Sequence, residues 1–167
     1  MVTKSKTPST GQGDTKAAAA AAEAALANTN DPKVEEESQI KSGTFLFSDG
    51  SKYIGDYCLV GGKVVRQGRG SFDAGAEQYE GEWLNDQMHG RGRYCFGTGA
   101  IYDGEFQTNL FHGKGTYYWT DGAHYEGSWH LNRMHGDGVY KDKNGAEWRG
   151  RFINGKYDNG RILHVVR

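Results

Sequence analysis

From residue 79 the chain alternates aromatic or glycine positions with charged ones: Tyr79, Gly81 and Trp83 are interleaved with Glu80 and Glu82. A period of two is the mark of a strand with one apolar and one polar face. A polar break, LNDQ at 84–87, precedes a second alternating run. There Met88, Gly90, Gly92, Tyr94 and Phe96 are interleaved with His89, Arg91, Arg93 and Cys95. GTGA at 97–100 closes the run, and later units have TDGA or KNGA in its place. Asp-Gly and Asn-Gly between such runs are hairpin turns, because glycine accepts positive φ without strain. The pattern predicts one β-hairpin.

The hairpin returns. YEGEWLNDQMHGRGRY at 79–94 is followed by YDGEFQTNLFHGKGTY at 102–117 and YEGSWHLNRMHGDGVY at 125–140, so that Tyr79, Tyr102, Tyr125 and Trp148 stand 23 residues apart. A fixed period of this size signals a repeat architecture. GTFLFSDGSKY at 43–53 matches GTYYWTDGAHY at 115–125, so the array opens half-way through a unit. The divisions are a low-complexity, Ala-rich tail at 1–42, a half unit at 43–52, full units at 53–78, 79–101, 102–124 and 125–147, and an incomplete capping unit at 148–167. The first full unit carries extra residues around LVGGKVVRQ at 59–67. In the tail, AAAAAAEAALA at 17–27 is long enough for about three helical turns, a length marginal in water by itself. The tail is expected to be disordered, or to hold a helix that orders on a partner.

Glycine inside a strand weakens it and needs a reason. The reason expected here is space: a Tyr or Trp ring leaning from the neighbouring strand lies flat on a residue without a side chain. Tyr79, Trp83, Tyr94, Phe96 and their counterparts would then stack along one face and replace a conventional core. The other face would set Glu80, Glu82, Asp103 and Glu105 against Arg91, Arg93 and Lys114, at about 0.2–1 kcal/mol for each cross-strand pair.

Composition agrees. The 167 residues include 26 Gly, only 2 Pro and 13% aromatics, with too little aliphatic material for a thick core. From residue 43 onward there are 15 Lys+Arg and 15 Asp+Glu, so the repeats lack the basic excess that nucleic acid or anionic lipid favours. Cys58 and Cys95 occupy unrelated places in their units, which reads as reduced thiols and a cytoplasmic setting. No run of about 18 apolar residues suggests a membrane helix. Targeting cleavage is not expected, since MVTKSKTPST is followed by polar residues rather than an apolar core segment.

His89, His112 and His135 recur once per unit and invite a metal or general-base reading. Equivalent positions lie two strands apart, about 9.5 Å, whereas a zinc ligand atom stands about 2 Å from the ion. The three histidines are therefore assigned to the architecture. The GRG and GKG phrases are not followed by the third glycine or the helix that phosphate binding needs. Neither cysteine has a recurring His or Asp beside it. No catalytic residue, metal ligand or cofactor is expected, and the chain is not expected to be an enzyme.

YxGxW, MHGxGxY and a DG turn at this spacing resemble the MORN repeat (membrane occupation and recognition nexus) over residues 43 to about 155. The resemblance implies an all-β fold, an elongated single-layer antiparallel β-meander of nine to ten strands. MORN repeats occur in membrane-associated proteins, where they have been read as lipid-binding, beside a methyltransferase domain, and in radial-spoke heads and small flagellar proteins. The last group implies a scaffold or adaptor among other proteins of a larger assembly, at the cytoskeleton, in a cilium or flagellum axoneme. A phospholipid or phosphoinositide surface is the alternative, less favoured by neutral repeats. The expected partner-binding groove comprises Tyr79, Trp83, Tyr102, Phe106, Trp119, Tyr125, Trp129 and Trp148, with Trp83, Phe106, Trp119 and Trp129 facing solvent. Open edge strands also invite pairing with a second copy or another β protein.

Overall fold

The computed structural model describes residues 39–159 and 163–165. The expectation for the tail falls almost wholly on residues 1–38, outside the described residues. Among the described residues twelve strands follow one another: β1 (Lys41–Leu46), β2 (Lys52–Val60), β3 (Lys63–Asp73), β4 (Gln78–Leu84), β5 (Gln87–Cys95), β6 (Ile101–Gln107), β7 (Leu110–Tyr118), β8 (His124–His130), β9 (Arg133–Lys141), β10 (Glu147–Ile153), β11 (Lys156–Asp158) and β12 (Leu163–Val165). They form one sheet in strict sequence order, each pair antiparallel, and no helix occurs among the described residues. The expected meander is the fold. The sheet starts two residues earlier than Gly43, at Lys41, and has twelve strands where nine to ten are expected, with β10, β11 and β12 at the capping end.

Two kinds of turn alternate. Asn85-Asp86, Thr108-Asn109 and Leu131-Asn132 are two-residue turns with positive φ at both positions, 50° and 64°, 54° and 63°, 48° and 64°. That geometry matches the right-handed twist of the flanking strands. The other ends close through a longer turn, in which the Gly99 N–H donates to the Phe96 carbonyl at 2.8 Å and Gly99 takes φ 89°. The extra residues of the first full unit lengthen the β2–β3 hairpin around Gly61-Gly62, so that 58–67 run past the pairing of both neighbours.

The turns also tie each hairpin to the one before. The Asn109 side-chain oxygen accepts from the Met88 N–H at 2.8 Å while the Asn109 N–H donates to the Met88 carbonyl at 3.0 Å. Asn132 does the same with Phe111, at 2.7 and 3.2 Å, and Asp86 with Arg66, at 2.8 and 3.1 Å.

The core is a chain of rings on one face. Tyr53, Tyr79, Tyr102 and Tyr125 are buried almost completely, with Trp83, Phe106, Trp129 and Phe152 between them. Successive rings meet edge to face: Tyr79–Trp83 at 5.1 Å, Tyr79–Phe106 at 5.1 Å, Tyr102–Phe106 at 5.1 Å, Tyr102–Trp129 at 5.3 Å, Tyr125–Trp129 at 5.2 Å and Tyr125–Phe152 at 4.8 Å. Such pairs contribute about 0.5–1.5 kcal/mol each beyond burial. Beneath each tyrosine lie two paired glycines, Gly81 and Gly92 under Tyr79, Gly104 and Gly115 under Tyr102. The glycines answer to the expected need for space.

The buried hydroxyls and indole N–H groups of these rings are paired with backbone. Tyr79 Oη donates to the Glu82 carbonyl at 2.8 Å, Tyr102 to Glu105 at 2.9 Å and Tyr125 to Ser128 at 3.0 Å. Trp83 Nε1 donates to the Gly70 carbonyl at 3.1 Å and Trp129 Nε1 to Gly115 at 3.0 Å.

The polar face departs from expectation in part. Register does place Glu80 beside Arg93, Arg91 beside Glu105 and Arg93 beside Asp103. Arg93–Asp103 closes to 3.8 Å between two half-exposed side chains, a contact worth at most about 1 kcal/mol. Glu82 and Glu105 turn to the backbone instead. The ladder bulges between Gly81 and Glu82 and between Gly104 and Glu105, which leaves N–H groups on the opposite strand unpaired. Glu82 accepts from the Arg91 N–H at 3.2 Å and Glu105 from the Lys114 N–H at 3.3 Å. A carboxylate on a free amide satisfies a donor the ladder has left over; a pair with an exposed guanidinium would not.

Candidate docking face

The strands set a second rank of rings outside the first. Tyr94 and Phe96 stand 4.7 Å apart, Phe96 and Tyr117 5.7 Å, Tyr117 and Trp119 4.7 Å, Trp119 and Tyr140 5.6 Å, Tyr140 and Trp148 5.6 Å. All but Tyr140 are half-buried, packed by one side against the core rings and open on the other. All but Trp148 sit on the second strand of a hairpin or the turn after it, where the alternation returns to the ring face past the glycine pair; Trp148 stands on β10, the first strand of the last unit, opposite Tyr140. Met88, Tyr94, Phe96, Phe111 and Tyr117, with Asn109 and Asn132, line a groove of about 400 Å³ on this face.

Of the eight residues expected to line a partner groove, Trp119 and Trp148 lie in this outer rank. Tyr79, Trp83, Tyr102, Phe106, Tyr125 and Trp129 are buried in the inner chain. The expectation that Trp83, Phe106 and Trp129 face solvent is corrected: each is wedged between the tyrosine of its own unit and that of the unit before. The groove is lined instead by Tyr94, Phe96, Phe111 and Tyr117. Three of these carry a mark in the sequence, as the aromatic residues that follow the HGxG phrase rather than those that precede it.

The face carries little charge. Tyr94 Oη donates to Glu77 Oε2 at 2.8 Å, and burial together with that carboxylate pushes the phenol up to about 12. At the other end Arg66 lays its guanidinium 4.1 Å from the centre of the Trp83 ring while Nε holds Asp86 at 3.0 Å. The cation thereby covers the Trp83 ring and fastens the long β2–β3 hairpin to the β4–β5 turn. The opposite face is a shallow, mixed-charge trough of about 860 Å³ lined by Asp103, Lys114, Thr116, Glu126, Asp137 and Arg149 among others.

The MORN repeat family matches residues 79–101, 102–124 and 125–147, the three units whose hairpins have regular length and whose boundaries the 23-residue period marks. Residues 79–147 are three MORN repeats. No curated protein matches the chain significantly. MORN repeats are in general binding modules for proteins or membranes, and MORN-repeat proteins are in general non-catalytic scaffolds. In this chain the YxGxW part of the signature and the paired glycines build the inner frame, whereas the tyrosine that ends MHGxGxY is Tyr94 or Tyr117 of the outer rank. The outer rank is what the frame presents.

Proposed function

We propose that the chain is a non-catalytic scaffold or adaptor that seats another protein of a larger assembly on the outer rank of rings. The observation that carries this reading is the half-exposed, nearly uncharged row Tyr94, Phe96, Tyr117, Trp119 and Trp148, standing on a frame already satisfied without it. Tyrosine and tryptophan supply large contact area at small entropic cost and are common interface anchors. The setting proposed is cytoplasmic, at a cytoskeletal structure such as a ciliary or flagellar axoneme, in keeping with the flagellar proteins the repeats resemble.

The test is fractionation of the tagged chain in a flagellated cell, with Phe96→Ala/Tyr117→Ala beside the wild type. The wild type should stay in the detergent-insoluble cytoskeletal pellet at moderate salt. The double variant should be released while its circular dichroism and melting midpoint remain near those of the wild type. Release of the wild type with the lipids, together with liposome binding that collapses as salt rises, would replace the adaptor reading with the membrane-surface one.

A further inference from the structure

His89, His112 and His135 are repeat residues, and as a set they remain two strands apart. His130 is not a repeat residue. Carrying the strand register on by one step, the position that faces each repeat histidine across the next strand is Gln107 for His89, His130 for His112 and Ile153 for His135. In one unit alone does a second imidazole fall directly opposite the first. The rings of His112 and His130 are 5.5 Å apart between centres, and His130 stands 5.8 Å from His135 on its other side.

These side chains converge on a pocket of about 460 Å³ on the polar face, shared with Glu105, Lys114 and Ser128. Glu105 is the residue paired with His112 on the strand before, so a carboxylate adjoins the imidazoles. His112 Nδ1 and His135 Nδ1 are both buried without a hydrogen-bond partner. A buried ring nitrogen left unpaired is a cost that a proton, a water or an ion bound in the pocket can relieve.

Two imidazoles on one tetrahedral ion, each nitrogen about 2 Å from it, hold their ring centres roughly 5–6 Å apart. Directly opposed strand residues reach this spacing without backbone movement. Among the described residues no three His, Cys, Asp or Glu are placed to share an ion, which leaves the His112–His130 pair as the candidate protein ligands. Imidazole suits zinc, nickel and copper rather than magnesium or calcium.

We propose that His112 and His130 form a two-histidine site for a divalent transition metal such as zinc, with His135 and Glu105 at its margin. The site clips β7 to β8 in the one unit that has it. It does not depend on the adaptor reading, since it lies on the opposite face from the outer rings.

The test uses the full chain with its purification tag removed, titrated with zinc chloride by calorimetry in a buffer that does not chelate. One equivalent should bind to the wild type with a dissociation constant in the micromolar range. His130→Gln, which installs the residue of the preceding unit, should weaken binding by roughly tenfold or more, whereas His89→Gln should leave it unchanged. Zinc should also raise the melting midpoint of the wild type and not that of His130→Gln, with circular dichroism showing both folded. Absence of one-equivalent binding, or equal binding by His130→Gln, would overturn the site.

Discussion

At the scale of single residues the fold depends on a ring lying where a side chain would otherwise be. A Cβ built on Gly92 would stand 2.5 Å from Tyr79 Oη and 2.6 Å from its Cε2, and these are atoms of a fully packed ring, not the end of a flexible chain. Gly92→Ala is therefore expected to cost about 1–3 kcal/mol or more, the range for overpacking a filled site. Chemical denaturation of the variant measures it. Because the nearest atom is the hydroxyl, Tyr79→Phe in the same chain should return part of the loss, even though alone it forfeits the bond to the Glu82 carbonyl. Equal destabilisation by Gly92→Ala with and without the hydroxyl would show that the ring carbons, 2.6 Å away at Cε2, set the limit and not the hydroxyl. The pairing of ring and glycine was legible in the sequence, since a strand gives up stability at an interior glycine unless something must lie against it. Which rings are inside was not legible. Alternation assigns a face to Trp83 and Tyr94 alike, and depth on that face is set by the register between hairpins, which places the tyrosine and tryptophan of adjoining units against one another.

At the scale of elements the hairpins were legible and their fastenings were not. Period-two runs and Gly turns mark strand after strand, and the LNDQ break marks the short turn. The bond from Asn109 to Met88 joins residues 21 apart, and nothing in either residue's neighbourhood announces it. The bulges that turn Glu82 and Glu105 toward the backbone are equally silent, because each adds two residues to the second strand, Gly90-Arg91 and Gly113-Lys114, and an even number leaves the alternation intact. His130 gives no sign along the chain for the same reason: its neighbour is across the sheet. The short turns make a prediction of their own. Leu131 sits at φ 48° and is more than half exposed, the left-handed region where a side chain with a bulky Cγ is strained. Leu131→Asn should stabilise the chain by about 1 kcal/mol, as the counterpart turn positions in earlier units hold Asn85 and Thr108. Asn109→Ala should act the other way and cost about 1–2 kcal/mol, since it leaves the Met88 N–H unpaired. Both changes are read from denaturation midpoints at constant slope.

At the scale of the whole sheet the core is a line, and the tyrosines along it give that line a common response to alkali. Burial pushes the phenols of Tyr53 and Tyr94 up to about 12, and it raises those of Tyr79, Tyr102 and Tyr125 further, with the nearby carboxylates of Glu82 and Glu105 adding to the effect at Tyr79 and Tyr102. A phenol whose folded pKa lies above its unfolded value near 10 holds its proton more tightly in the folded chain. Its contribution to stability is therefore complete below pH 10 and is lost as pH rises above that point, through about 12 for Tyr53 and Tyr94 and beyond it for the other three. Each fully buried tyrosine in that window removes at most about 1.4 kcal/mol per pH unit, and the half-exposed Tyr94 less, because solvent screens it. Because the rings touch in series, loss of one unit's packing exposes the next, and the response should be joint. Raising the pH should leave the sheet signal flat to about 10 and then collapse it, with tyrosinate absorbance from the buried rings appearing in the same step. Smooth titration of all tyrosines near pH 10 with the sheet still present would mean that the inner rings are open to solvent, and the account of the core as a closed chain of rings would fail with it.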